Sequence, residues 1–165
     1  MNITVIAIEL VVMFLIFGFL AFGLLLISPS TFVGEYPPEI QEAYYRSQNK
    51  EAKKQTLNRL MVIKRIAAII VYMFLFAWMS HIAGAKTFAQ GVLLVYCYVM
   101  ALAVWDTFFI DWVLFANVKK IRLPGTENMD KEYHQKWFHV KGCLPMIPIF
   151  AVVGAFSSLI MIWIW

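Results

Sequence analysis

Four long apolar segments constrain the fold of this chain more than any other feature of its sequence. They cover residues 3–27, 60–83, 88–116 and 143–165, and each reaches the length of about 20 residues that a membrane-spanning helix needs. Of the 165 residues, 62% are hydrophobic and 15% are charged, whereas a soluble domain averages about 45–50% and about 25%. The sequence therefore predicts an all-α membrane protein, a bundle of four transmembrane helices in one domain of residues 1–165.

The first segment lies where a secretory signal peptide would lie, but it lacks the features of one. No basic residue precedes it, its apolar core is too long, and no A-x-A cleavage site follows it. We therefore expect it to be a retained transmembrane helix.

Lysine and arginine residues are distributed unevenly between the loops. They are concentrated in residues 28–59 and 117–142, whereas the loop after the second segment carries only Lys86. Loops rich in Lys and Arg face the cytoplasm in polytopic proteins. We therefore predict that residues 28–59 and 117–142 are cytoplasmic and that both termini lie outside.

Each cytoplasmic loop is expected to contain a short amphipathic helix. Proline suits the first helical turn, so Pro37-Pro38 can start a helix, and residues 39–48 are predicted to continue it. A second helix is predicted from Thr126 or Asn128 to about residue 140, with Tyr133, Trp137 and Val140 on one stripe, lying in the membrane interface.

Two aspartates, Asp106 and Asp111, interrupt the third segment. A carboxylate at membrane depth costs roughly 2.5–3.5 kcal/mol on insertion scales, so it usually faces a partner, water or a ligand. Residues five apart lie about 140° apart around an α-helix, so the two carboxylates should meet different neighbours unless the helix is distorted. We expect Asp111 to pair with Arg65, or with Lys64, at a similar depth.

No cationic residue is predicted at the depth of Asp106. Since burial disfavours the charged carboxylate, we expect Asp106 to be partly protonated and to border a polar cavity or meet a hydroxyl such as that of a tyrosine. Glu9, in the outer half of the first segment, is either an interfacial acid or a partner of His81 or Lys86. Alternatively, Glu9 and the two aspartates form a graded path for protons or ions.

His134 and His139 lie in the third loop, near Glu127. Their spacing differs from the i, i+4 zinc pair of H-E-x-x-H, and a metal site would need Asp111 or Glu127 to complete it. We interpret them as ordinary interfacial histidines and predict no metal site. The sequence contains no phosphate-binding loop and no nucleophile elbow, and it does not indicate which cofactor, if any, the protein binds.

Small residues at helical spacing, Gly154 with Ser158 and Ala151 with Ala155, favour close helix approach in the fourth segment. The partner helix belongs to the same bundle or to another copy of the chain.

Residues 105–142 carry a pattern that resembles a family of small four-helix bacterial membrane proteins with no assigned activity. The pattern comprises Asp106-x4-Asp111-Trp112, Pro124-Gly125-Thr126-Glu127, Tyr133, Phe138-His139 and Gly142. The resemblance implies a bacterial inner-membrane protein in which the inner half of the third segment and the third loop form one functional unit.

These observations predict a polar, acidic site at the inner leaflet, lined by Asp111, Arg65, Glu127 and His139 with Asp106 behind them. The site would bind or conduct a proton, a cation or a lipid headgroup. Two alternatives stay open, namely a membrane enzyme acting on a lipid-like substrate, and an accessory subunit of a larger membrane complex. The expected partners are the bilayer and possible further copies; the modest net charge of +4 does not suggest nucleic-acid binding.

Overall fold

The computed structural model describes residues 1–49 and 59–165, without the side chains of Leu60, Met61 and Arg65. In these residues all regular structure is helical and no strand occurs. Four of the described helical stretches are long and apolar enough to cross a membrane. They are Ile3–Ile27, Val62–Ile82, Phe88–Phe115 and Asp130–Ile164. The predicted helical class and the four apolar helices are thereby confirmed.

The described chain contains seven α-helices, three 3-10 turns and one π-helix. The α-helices are α1 (Ile3–Ile27), α2 (Pro38–Ser47), α3 (Arg59–Ile82), α4 (Phe88–Trp105), α5 (Asp130–Tyr133), α6 (Lys136–Cys143) and α7 (Ile147–Ile164). The 3-10 turns are Pro29–Glu35, Lys119–Ile121 and Leu144–Met146. The π-helix, Asp106–Phe115, continues directly from α4.

The helix predicted over residues 39–48 after Pro37-Pro38 is confirmed by α2, but the single helix predicted up to residue 140 is wrong. The Lys136 N–H donates to the His134 carbonyl oxygen at 2.8 Å, and this tight turn separates α5 from α6. The predicted apolar stripe is broken as well, because Tyr133 is buried whereas Trp137 is 71% exposed.

The described chain packs as two compact units. Unit 1 comprises Met1–Phe14, Leu57–Val104 and Cys143–Trp165. Its core is apolar and centres on the side chains of Ala77, Val95, Tyr98 and Met161. The start of the chain is fixed to this unit by a backbone hydrogen bond of 2.7 Å from Asn2 N to Ala83 O.

Small residues bring α4 and α7 together within unit 1. A methyl group added at Gly91 would lie 2.4 Å from Ser158 Oγ, and one added at Gly154 would lie 3.1 Å from Val92 O. The Ser158 hydroxyl also donates to the Phe88 carbonyl at 2.7 Å. The Gly154–Ser158 pattern thus supports contact between helices of the same chain.

Unit 2 comprises Leu15–Thr56 and Trp105–Gly142. Its core lies between α2 and the loop that follows the π-helix, and it includes Tyr36, Ile121 and Tyr133. The Tyr36 hydroxyl donates to Ile121 O at 2.9 Å, and burial raises the pKa of Tyr36, so the phenol stays a donor. The Leu123 N–H donates to Tyr133 Oη at 3.0 Å. The loop after the π-helix is therefore a packed structure.

Candidate functional site

The π-helix changes the relation between the two aspartates of the third segment. Its hydrogen bonds join residues five apart, as shown by the Ala116 N–H bonding to the Asp111 carbonyl. In such a helix residue i+5 lies roughly one turn beyond residue i, so Asp106 and Asp111 lie close to one face. The expectation of different faces, which held for a regular α-helix, is corrected. π-helices are rare, mostly single-turn, and frequent at functional sites, and this one extends over 10 residues.

Asp111 contacts His139 of α6. The distance between Asp111 Oδ2 and His139 Nδ1 is 3.1 Å, and the two side chains are only 18% and 10% exposed. A carboxylate so close to Nδ1 is placed to orient the ring through that nitrogen. The pair combines two titratable groups in a mostly buried position.

The other ring nitrogen of His139 is buried and open. Within the described part of the chain, Nε2 has no hydrogen-bond partner. The ring packs edge-on against Phe115, with centroids 5.2 Å apart, and against Phe138 at 5.3 Å. Since Asp111 lies beside Nδ1 and aromatic rings hold the imidazole, Nε2 is the ring nitrogen left without a partner among the described residues.

A second contact ties α6 to the π-helix. The Trp112 indole Nε1 donates to Lys136 O at 3.2 Å, and the Lys136 ammonium lies 5.1 Å from the centre of the Trp112 ring. Residues three apart on a helix share a face, so anchoring Lys136 also places His139. The adjacent residues Asp111 and Trp112 therefore fix α6 at two points.

Asp106 completes the cluster. It is half-buried and interacts electrostatically with both Asp111 and His139. No hydrogen bond to a tyrosine is seen for Asp106 in the described residues. Among those residues no group of three His, Cys, Asp or Glu side chains is placed to hold a metal ion. The cluster consists of two carboxylates and one imidazole.

The predicted pairing of Asp111 with Arg65 stays a prediction, because the Arg65 side chain lies outside the described residues. Lys64, the alternative partner, is exposed. The partner that the structure gives Asp111 is His139. The sequence placed His139 at the site but did not predict this contact.

Glu127 and His134 shape the loop and do not contact the cluster. Glu127 Oε1 accepts the Gly125 N–H at 3.0 Å, and hydrogen bonds from backbone N–H groups, those of Glu127 and Gly125, lower the pKa of Glu127. Gly125 has φ of +81°, a conformation that suits glycine. His134 is exposed and its Nδ1 lies 2.6 Å from Asp130 O. That Glu127 lines the site stays a prediction.

Glu9 has a partner that the sequence reasoning missed. The Tyr98 hydroxyl of α4 donates a hydrogen bond to Glu9 Oε2 of α1. His81, one expected partner, stacks on the Trp165 ring with centroids 4.9 Å apart. A tyrosine in an apolar segment needs a partner for its hydroxyl when buried, and this signal could have identified Tyr98.

Comparison with known proteins finds no matching family model, no matching curated protein and no matching solved structure. The function is therefore argued from the chemistry of the cluster formed by Asp106, Asp111 and His139.

Proposed function

We propose that this chain is a multi-pass membrane protein whose cluster of Asp106, Asp111 and His139 binds and releases a proton at the inner leaflet. The observation that carries the proposal is the 3.1 Å contact between Asp111 Oδ2 and His139 Nδ1, together with the buried and open Nε2 of the same ring. A mostly buried acid–imidazole pair with a free nitrogen is suited to proton exchange.

A proton fits the cluster better than a metal cation or a lipid headgroup does. Calcium takes about 6–8 oxygen ligands, more than two aspartates supply. The phosphate of a headgroup would be repelled by Asp106 and Asp111, since like charges at close range raise the energy. Imidazole, in contrast, is the side chain that changes charge between about pH 5 and 8.

The exchange would use the two nitrogens of His139 differently. With the Nδ1 proton held by Asp111, the neutral ring accepts a proton at Nε2, and the carboxylate then stabilises the imidazolium. Asp106, within electrostatic range of both groups, is a second acceptor for the same proton. The three side chains would therefore share one exchangeable proton. The cluster could then bind the proton or pass it on.

The location of the cluster in the cell is part of the proposal. The excess of Lys and Arg in residues 28–59 and 117–142 supports cytoplasmic loops and outward termini. The resemblance to small bacterial membrane proteins supports the inner membrane of a bacterium. The contact between Asp111 and His139 agrees with the implication that residues 105–142 act as one unit.

The proposed threading can be tested by thiol labelling in intact cells. In a background without Cys97 and Cys143, a cysteine at Asp130 should resist an impermeant reagent and a cysteine at Lys86 should react. Labelling of the Asp130→Cys variant in intact cells would contradict the threading.

A second candidate function is supported by the same open nitrogen. An imidazole oriented at Nδ1 by a carboxylate, with Nε2 free, is the arrangement of a general base. In a membrane protein its substrate would be lipid-like. General acid–base catalysis contributes a factor of roughly 10²–10⁴ to the rate. A fall of that size in the turnover rate of His139→Gln would therefore favour an enzymatic function.

Proton transfer can be tested in proteoliposomes that contain a pH-sensitive dye. Wild-type protein should carry protons down an imposed gradient, whereas Asp111→Asn and His139→Gln should not. His134→Gln is the matched control, because His134 is an exposed loop histidine outside the cluster. Flux that persists in both cluster variants would contradict the proposal.

A further inference from the structure

We propose that unit 1 contains a second site, a cavity that binds a phosphate group, most suitably that of an anionic lipid. The cavity has a volume of about 380 Å³, within the range of about 300–1,000 Å³ for small-ligand sites. It lies at the turn between α3 and α4, beside the end of α7. His81, Ala85, Lys86, Met161, Ile162 and Trp165 line it.

The polar part of this cavity includes two basic side chains. Lys86 and His81 are exposed at its wall, and no carboxylate side chain lines it. The Lys86 backbone N–H is used locally, donating to Gln90 Oε1 at 2.8 Å. Within the described residues the Lys86 ammonium forms no ion pair, so it is available to a ligand. An ammonium and an imidazole together suit an anion.

The rest of the cavity is apolar and aromatic. Met161 is 2% exposed and Ala85 is 6% exposed, and both present apolar atoms. The Trp165 ring stacks on His81 with an interplanar angle of 22°, which holds the imidazole at the wall. A free inorganic anion would make no use of the apolar surface, whereas a lipid would cover it with its glycerol and acyl carbons.

The position of the cavity agrees with a lipid ligand. It lies where two helices long enough to cross a membrane end, at the level at which tryptophan is enriched in membrane proteins. This inference depends on the chain being in a membrane, but it does not depend on proton exchange at Asp111 and His139.

The experiment is a calorimetric titration of the full chain in detergent with three probes. They are short-chain phosphatidylglycerol, short-chain phosphatidylcholine and inorganic phosphate. We expect phosphatidylglycerol to bind, and Lys86→Gln to weaken it by about tenfold or more, as loss of a hydrogen bond to a charged group does. Lys86→Arg should retain binding because it keeps the charge. Lys64→Gln, the same change at an exposed lysine of α3 far from the turn, should bind like wild type.

The outcomes separate the sources of the phosphate. Binding of phosphatidylglycerol with no binding of inorganic phosphate supports a lipid ligand, and Lys86-dependent binding of inorganic phosphate supports the same site with free phosphate as its ligand. Equal binding to wild type and Lys86→Gln, equal binding of the two phospholipids, or no binding of any probe would overturn the proposal. None of these results bears on proton flux, so the two proposals fail independently.

Discussion

Asp111 of the π-helix and His139 of α6 form a mostly buried acid–imidazole pair, with 3.1 Å between Oδ2 and Nδ1. The two residues belong to the same compact unit but to different helices, so their contact also fixes α6 against the π-helix. One pair thus contributes to the packing of the loop and, in the proposed function, to proton exchange.

The energetic coupling of this pair is the first prediction. Asp111→Ala and His139→Ala should each destabilise the protein, because each leaves a buried polar group without its partner. In a double-mutant cycle the two should couple by roughly 0.5–3 kcal/mol, as contacting residues do. The measurement is unfolding in detergent. Strictly additive effects of the two changes on the free energy of unfolding would show that the two side chains do not interact.

The π-helix makes a second prediction. In a background without native cysteines, Asp106→Cys with Asp111→Cys should bind Cd²⁺, because π geometry brings residues five apart onto one face. Protection of the thiols from a maleimide reports the binding. Val99→Cys with Val104→Cys is the control, since the same spacing in the regular helix α4 separates the two thiols. Equal protection of both pairs, or of neither, would argue against a π-helix at the aspartates.

The contact between α4 and α7 makes a third prediction. Gly91→Ala should destabilise the protein by about 1–3 kcal/mol, the usual cost of overpacking, because the added methyl would lie 2.4 Å from Ser158 Oγ. Gly23→Ala is the control, since nothing lies within 4 Å of a methyl added there. Thermal unfolding in detergent compares the two, and equal melting temperatures would show that α4 and α7 are not in close contact.

The loop core makes a fourth prediction. Tyr36→Phe should cost about 1–3 kcal/mol, because it leaves the Ile121 carbonyl without a donor in a buried position. The hydroxyl that is lost donates to that carbonyl at 2.9 Å. Tyr45→Phe, which alters a less buried tyrosine of the same unit, should change stability little. A larger effect at Tyr45 than at Tyr36 would contradict the described loop core.

The sequence predicts the helices well because hydrophobic length and proline position determine them. The bounds of α1 agree with the predicted segment 3–27, and α2 begins at Pro38. Both features depend on the local sequence alone. A stretch of about 20 apolar residues is enough to indicate a membrane-spanning helix.

The site is predicted less completely, because its geometry depends on hydrogen bonding and loop packing. Hydropathy does not distinguish a π-helix from an α-helix. The sequence therefore predicts different faces for Asp106 and Asp111 unless the helix is distorted, and it cannot show that the distortion occurs. Residue type indicates His139 as a candidate, but its contact with Asp111 depends on the turn at His134 that precedes α6. Proximity in sequence indicates Glu127, and in the described turn its carboxylate accepts the Gly125 N–H.

If Asp106, Asp111 and His139 share one exchangeable proton, infrared difference spectroscopy during a pH titration should detect it. We predict a carboxyl signal in the wild-type protein that is lost in Asp106→Asn or Asp111→Asn. The same signal should shift in His139→Gln, since all three groups share the proton, and should be unchanged in Glu127→Gln. A carboxyl signal that is the same in wild type and in all three cluster variants would contradict the account.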